Sequence, residues 1–332
     1  MNNTTRQNFE KLSQGNLLDR QETGQLMHSI LDNEINEVQV ASVLAFFQSR
    51  PIVQAELEGM ITAVNERGIK LFFNTPTLDV CGTGGDGKNT FNISTLSAFV
   101  LAASGVPVAK YGNFGSTSVS GSSDILNYFG YRFTADGDDL LKQLDENNVC
   151  FLHAPLFHPA LKKLAGIRKE IGYRTLFNLI GPLTNPVNIS AKYVGVYNQH
   201  TARLYHYHLQ NQNVNYTVVT TQDGYDEISL TNKFKLYSNR GEKLISPADL
   251  KLDFVKSTEL ESGQTIAESA KIFLDVLNNK TSKSKKTVVL MNAATAYCCY
   301  HPGTSISEAL AVCTEAIDSG KALQIFKKIM DK

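Results

Sequence analysis

DVCGTGGDGKNTFNIST, residues 79 to 95, decides the reading of the fold. Four glycines, Gly82, Gly84, Gly85 and Gly87, fall within six positions. A short apolar run, LDV, precedes them, and NISTLSAFVLAASG follows with the look of a helix. Strand, glycine loop, helix is α/β grammar. A loop that opens onto a helix N-terminus presents unpaired N–H groups and the positive end of a dipole, which suits an anion. Ser94 or Thr95 is the expected helix cap, and Gly105 the expected stop. Two phosphate fingerprints come close here and neither fits. Gly82, Gly84 and Gly87 match G-x-G-x-x-G, but the next strand, PVAKYGN, carries Lys110 where an acid would hold a ribose. Gly82, Gly87 and Lys88 nearly match the P-loop, but Asn89 replaces the hydroxyl that should bind Mg²⁺. Asp86 inside the loop would repel a bare pyrophosphate. It suits a ligand with hydroxyls to donate, or one that brings a cation: a phosphorylated sugar or a Mg-diphosphate.

Working outward, residues 1–72 read as a small all-helical domain. LLDRQETGQLMHSILDNEI and NEVQVASVLAFFQSR carry apolar residues at three- and four-residue spacing, with Asp19 and Asn36 as N-caps. Residues 73–332 read as a large α/β domain with a central sheet flanked by helices. Its β-prone runs are LDV, PVAKY, NYTVVTT and TVVLMN, the last preceded by a basic loop, KTSKSKK. The helical segment at about 160–190 is a candidate to rejoin the first domain. The chain has 332 residues, 42% of them hydrophobic, and 32 basic against 32 acidic residues. Zero net charge argues against a general nucleic-acid binder. Cys81, Cys150, Cys298, Cys299 and Cys313 show no C-x-x-C spacing and no signal peptide is apparent, so free thiols in a reducing cytoplasm are expected. No apolar run reaches the roughly 18 residues of a membrane span.

Three more stretches bear on the ligand. KYGNFGSTSVSGSSD (Lys110 to Asp124) is a second glycine- and serine-rich loop after a strand, able to wrap a phosphate. GIRKEIGYRTLFNLIGPLTNP places Arg168 and Arg174 in an apolar helical stretch. DGYDEISL places Asp226 and Glu227 side by side in a turn after NYTVVTT, where adjacent carboxylates can hold Mg²⁺. His153 and His158 flank a proline-containing apolar segment and read as packing or pocket lining rather than acid/base groups.

Together, GTGGDG…T.NIST, K.GN…S.SGSSD, HAPLFHPALKKLAGIRKEIGYRTLFNLIGPLTNP and DGYDEIS occur in an order and spacing that resemble the anthranilate phosphoribosyltransferases. The likeness extends over almost the whole chain. It implies transfer of a phosphoribosyl group from phosphoribosyl diphosphate to anthranilate with Mg²⁺ in tryptophan biosynthesis, by a homodimer with no nucleic-acid or membrane partner. It further implies that Gly82, Gly85, Asp86, Thr90, Asn92, Ile93, Ser94 and Thr95 contact phosphoribosyl diphosphate. Lys110, Tyr111, Gly112, Asn113, Phe114, Gly115, Ser116, Thr117, Ser118 and Ser122 would form the second loop on that ligand. Gly82, Asn113 and Arg168 would hold anthranilate, and Ser94, Asp226 and Glu227 would serve magnesium. The sequence departs from the pattern where Tyr111 replaces a histidine, Phe114 an arginine and Val119 a residue that is often basic. Lys88 is an extra cation that could compensate. The rival readings are a pyrimidine nucleoside phosphorylase and a non-catalytic, nucleic-acid-binding relative. The first should lack K.GN followed by SGSSD, and the second should show a basic surface and eroded metal acids.

Overall fold

Seven strands form one mixed sheet in the order β3-β2-β1-β4-β5-β6-β7. They are β1 (Leu78–Gly82), β2 (Val108–Gly112), β3 (Val149–His153), β4 (Ala191–Gly195), β5 (Asn215–Thr221), β6 (Phe234–Ser238) and β7 (Gly241–Ile245). The first five run parallel, and β6 and β7 are antiparallel additions at one edge. The computed structural model describes residues 1–115, 119–162 and 164–331. The chain divides into two compact units: residues 1–70 with 154–186, and residues 71–153 with 187–332.

The first unit is helical. Its long helices are Asn3–Ser13, Arg20–Leu31, Glu37–Gln48 and Gln54–Glu66. Asp19 and Asn36 cap two of them in full capping boxes with Glu22 and Gln39, which satisfies N–H groups that would otherwise have no helical partner. Leu26, Met27, Val43, Leu57 and Met60 are buried completely. The helical segments from Ala154–Phe157 to Leu176–Ile180 belong to this unit, although they follow β3 in the chain.

In the second unit the parallel strands are buried almost throughout, because helices cover them, and the few charged side chains they carry are buried with them. The helix Ile93–Ala103 is nearly all buried. Its Phe99 packs against Phe151, Phe273 and Phe326 at ring centroid distances of 5.3, 6.1 and 5.5 Å. Asn92, not Ser94 or Thr95, occupies the cap position of this helix, and Gly105 lies just beyond its C-cap with a φ of 83°.

TVVLMN, expected as a strand, is instead part of the helix Lys283–Tyr300, and the basic residues before it form the first turn after the cap Ser282. An unbroken apolar run does not distinguish a buried strand from a buried helix. The apolar stretch continues through AATAYCC, and a helix packed into the core is buried on most sides. Because β1 is bordered by β2 on one side and β4 on the other, the order of the strands reverses there. The crevice beyond the carboxyl ends of strands at such a point is where open α/β sheets bind ligands.

Candidate functional site

β1 and β4 lie in register, so Gly82 and Gly195 end the two strands side by side. Asp226 fills the slot above them. A Cβ on Gly82 would come within 2.6 Å of the Asp226 carboxylate, and one on Gly195 would overlap the Asp226 carbonyl. The Asp226 Oδ2 accepts from the Gly84 N–H at 2.6 Å and the Thr83 hydroxyl at 3.4 Å. Gly84, Gly85 and Gly87 have φ of 65°, 73° and 74°, which other residues adopt at a cost. A Cβ at Gly84 or Gly87 would meet nothing, so conformation rather than space requires glycine there.

Glu227 lies across from the helix that follows the loop, and its Oε1 accepts from the Ser94 N–H at 3.1 Å. The turn carrying both acids is held from behind. Asn292, in the helix Lys283–Tyr300, accepts from the Ile228 N–H and donates to the Ile228 carbonyl, at 3.0 and 2.9 Å. It also accepts from the Tyr193 hydroxyl at 2.8 Å. Lys88 points toward this turn: its ammonium lies 4.9 Å from the centroid of the Tyr225 ring. Its N–H donates to Asp86 Oδ1 at 3.0 Å.

Below the loops lies a layer of buried charge. Asp79 and Lys192 form an ion pair at 2.5 Å, both side chains almost wholly buried. Asp79 also accepts from the Tyr111 N–H at 3.1 Å, which joins β1 to β2. The Lys110 ammonium is buried, donating to the Val80 carbonyl at 2.6 Å and the Ser94 hydroxyl at 3.1 Å. Burial pulls the Lys110 pKa down, against the attraction of nearby anions that include Glu227.

The second loop is tied to the first. Asn92 does not cap its own helix with its side chain, which donates to the Ser120 and Gly121 carbonyls at 3.1 and 3.3 Å. Asp124 accepts from the N–H groups of Gly115 and Gly121 at 2.6 and 2.8 Å, closing the loop on itself. A Cβ on Gly112 would strike the Ser122 hydroxyl. Asn113 is exposed, and its carbonyl accepts from the Ser123 N–H at 3.1 Å. Phe114 sets its ring edge-on to His153, with centroids 4.7 Å apart, and Phe133 stacks on His153 at the same separation. His153 is further fixed by the Ser123 hydroxyl at 2.9 Å, and burial lowers its pKa. Ser116, Thr117 and Ser118 lie outside the described residues. Arg168 belongs to the helical unit, on the helix Leu164–Ile171. It donates to Asn178 Oδ1 at 3.3 Å and lies 5.9 Å from the centroid of the Phe177 ring. Arg174 falls between helices. Burial pushes His158 down to about 4, consistent with packing.

Thus β1, β2 and the two loops bring Gly82, Gly85, Asp86, Thr90, Asn92 to Thr95, Lys110 to Gly115 and Ser122 into the α/β unit with Asp226 and Glu227. Thr83, Asp79, Lys192, Gly195 and Asn292 were not singled out from sequence. The G-S-S-D spacing that lets Asp124 cap its own loop was a readable signal; the place of Gly195 opposite Gly82 was not.

The acids fit a divalent cation. Burial, then the Asp86 charge, pushes Asp226 up to about 7, against the Gly84 N–H and the Thr83 hydroxyl. Burial, then Asp226 and Asp86, holds Glu227 well above the usual carboxylate range. Glu227 Oε2 and Asp86 Oδ2 are buried without a hydrogen-bond partner. Unpaired buried carboxylate oxygens are costly unless a cation reaches them. Among the described residues no three His, Cys, Asp or Glu side chains form a closed metal cage. Magnesium is usually held by one or two carboxylates, with substrate phosphates and water completing its shell.

Fold and site together define a two-domain glycosyl transferase. The helical bundle domain of the glycosyl transferase family matches residues 6–68, and the a/b domain of that family matches residues 74–323. The anthranilate phosphoribosyltransferase of Cytophaga hutchinsonii is 43% identical over 96% of this chain and 98% of its own. That of Bacteroides thetaiotaomicron is 42% identical over 97% of each. The chain belongs to the anthranilate phosphoribosyltransferase family. Among solved structures, the Thermus thermophilus enzyme is 30% identical, with a TM-score of 0.88 over 98% of both chains. The Saccharomyces cerevisiae enzyme in complex with PRPP and Mg is 26% identical, with a TM-score of 0.91 over 100% of this chain and 98% of that one.

Proposed function

We infer that this chain transfers the phosphoribosyl group of phosphoribosyl diphosphate to the amine of anthranilate and releases diphosphate, a step of tryptophan biosynthesis. One observation carries the reading. Two buried carboxylates, one of them with an oxygen that has no hydrogen-bond partner, stand at the sheet's switch point, beside a glycine loop and the N-terminus of a helix. A nucleoside phosphorylase or a nucleic-acid-binding relative is not favoured, since K.GN is followed by SGSSD, both acids are present and net charge is zero. The test is loss of anthranilate fluorescence when the protein is mixed with phosphoribosyl diphosphate and Mg²⁺. Unchanged fluorescence with all components present would overturn the reading.

Diphosphate leaves C1 of the ribose, the sugar becomes oxocarbenium-like and the aromatic amine attacks. The protein's work is therefore electrostatic and positional. Mg²⁺, when bound by Asp226, Glu227 and the Ser94 hydroxyl, supplies positive charge for the departing diphosphate. The glycine loop and residues 92–95 contact the phosphates. Asp86 accepts from a ribose hydroxyl. Lys110 holds the Ser94 hydroxyl from below. The second loop contacts the same ligand, and Phe114, where the family usually has an arginine, packs on His153 and brings no charge.

Of the residues expected to hold anthranilate, Gly82, Asn113 and Arg168, the last has a planar guanidinium that matches its carboxylate. Arg168→Ala is expected to raise the anthranilate KM about tenfold or more, with the phosphoribosyl diphosphate KM within about twofold, as loss of one charge-assisted contact requires. Steady-state kinetics at fixed Mg²⁺ measure this, and an unmoved anthranilate KM would remove Arg168 from the site.

The helical unit leaves Val38 75% and Leu17 52% exposed, apolar area that a second copy would cover. We propose that it forms a symmetric homodimer. Light scattering at micromolar concentration should give twice the chain mass of 36.6 kDa, and a monomer would refute it. Among the described residues no helix is long and apolar enough to cross a membrane. The five free cysteines fit a reducing compartment, and we place the enzyme in the cytoplasm.

A further inference from the structure

Asn89, which disqualified the P-loop reading, joins three segments of the α/β unit. Its φ of 48° is left-handed, a conformation asparagine tolerates better than most residues. Its Oδ1 accepts from the Ser262 hydroxyl at 3.0 Å and from the Val119 N–H of the second loop at 3.3 Å. Its Nδ2 donates to the Gly263 carbonyl at 3.3 Å, and its own carbonyl accepts from the Ser262 N–H at 2.9 Å. The pairing continues along the chain. Thr90 bridges Glu261 in antiparallel fashion, and the Phe91 N–H donates to the Leu260 carbonyl at 3.1 Å. The far side of this ribbon is anchored, because Ser262 is almost wholly buried and its carbonyl accepts from the Ser269 hydroxyl at 2.8 Å.

We propose that Asn89 is a positioning residue that sets the second loop against the first in the phosphoribosyl diphosphate site. This rests on the reading of those two loops given above. The chemistry explains the residue type. One side chain must accept at one atom and donate from another, to partners on different segments, from a left-handed backbone; an amide's separate oxygen and nitrogen do this, where a hydroxyl has a single oxygen for all three bonds. An aspartate would lack the donor and add charge beside Asp86. Asn89 holds Thr90 in the ribbon on one side and Val119 on the other, so the loops reach the ligand pre-set. Pre-set loops lose less conformational freedom on binding.

Asn89→Gly removes the amide and keeps the backbone conformation accessible. Its KM for phosphoribosyl diphosphate should rise about tenfold, while kcat and the anthranilate KM stay within about twofold. Amide exchange at residues 119–121 of the ligand-free protein should accelerate. Ser262→Ala should move the same quantities in the same direction but less, Ser262→Thr should restore them, and the double variant should be no worse than Asn89→Gly. Unchanged exchange at 119–121 together with an unchanged phosphoribosyl diphosphate KM would overturn the proposal. Equal rises in both KM values with a lowered Tm would also overturn it, by reducing Asn89 to general support. Absence of transferase activity in the unaltered protein would instead refute the functional reading, and the exchange comparison would still decide whether Asn89 holds the second loop.

Discussion

Asp226→Asn with Glu227→Gln abolishes turnover and, without magnesium, makes the protein more stable at pH 8. The two halves of this expected result have one cause. Both carboxylates are buried, and Asp226 is pushed up to about 7 by burial and by Asp86. The sign follows from proton linkage. Below about pH 4, Asp226 is protonated whether the chain is folded or not, so burial carries no charge penalty. Between about 4 and 7 the unfolded chain releases this proton and the folded one keeps it, so stability falls as pH rises, and it stays low above that range. Glu227, shifted in the same direction, adds to the slope. The isosteric amides remove the slope and the penalty. They also remove the anionic oxygens a cation needs, so kcat should fall roughly a thousandfold or more. In the unaltered protein, Mg²⁺ should raise the Tm more at pH 8 than at pH 5, because binding requires the deprotonated acids. Melting curves at the two pH values, with EDTA or with Mg²⁺, measure all of this. A double variant that turns over normally, or an unaltered protein that gains stability from pH 5 to 8 in EDTA, would refute the assignment.

The second large effect comes from a residue with no chemistry of its own. A Cβ on Gly195 would overlap the carbonyl of Asp226, a backbone atom that cannot swing away. Gly195→Ala should therefore push the whole acid turn outward, against the grip of Asn292 on Ile228. Overpacking at such a site costs about 3 kcal/mol. The Tm should drop by several degrees, with activity down at least about a hundredfold. Gly82→Ala is the control. Its Cβ would meet the Asp226 carboxylate at 2.6 Å and the Asp226 carbonyl only at 3.2 Å, so the clash falls mainly on a side chain rather than on backbone. Activity should fall there with little loss of stability. If both variants melt like the unaltered protein, the glycine pair does not shape the slot.

Much of this site was legible because its parts are local. Glycines in left-handed turns, the strand before them and the helix after them are encoded within 17 residues of one another. So are the caps Asp19 and Asn36, each paired with a residue three positions on. What could not be read depends on register. Gly195 sits in an unremarkable YVGVY and matters only because β4 pairs with β1. Lys192 looks like a surface cation until Asp79 is found beside it. The same limit explains TVVLMN, whose β-branched residues suit a strand until its neighbours in the core are known. Nor could the sequence show that Lys110, expected to contact phosphoribosyl diphosphate, donates to the Ser94 hydroxyl from a strand buried within the sheet.

The order in which the chain leaves the ribosome gives the interrupted sheet another meaning. β1, β2 and β3 emerge first, and the chain then makes residues 154–186, which belong to the other unit, before β4 appears. Until then one edge of β1 has no partner, and Asp79 waits for a lysine 113 positions downstream. A nascent chain stalled before residue 191 thus exposes a bare parallel edge and an uncompensated acid in its nascent core. Such edges invite pairing with other chains. Synthesis must pass β4 quickly, or a chaperone must cover the growing sheet, for the chain to reach its active form.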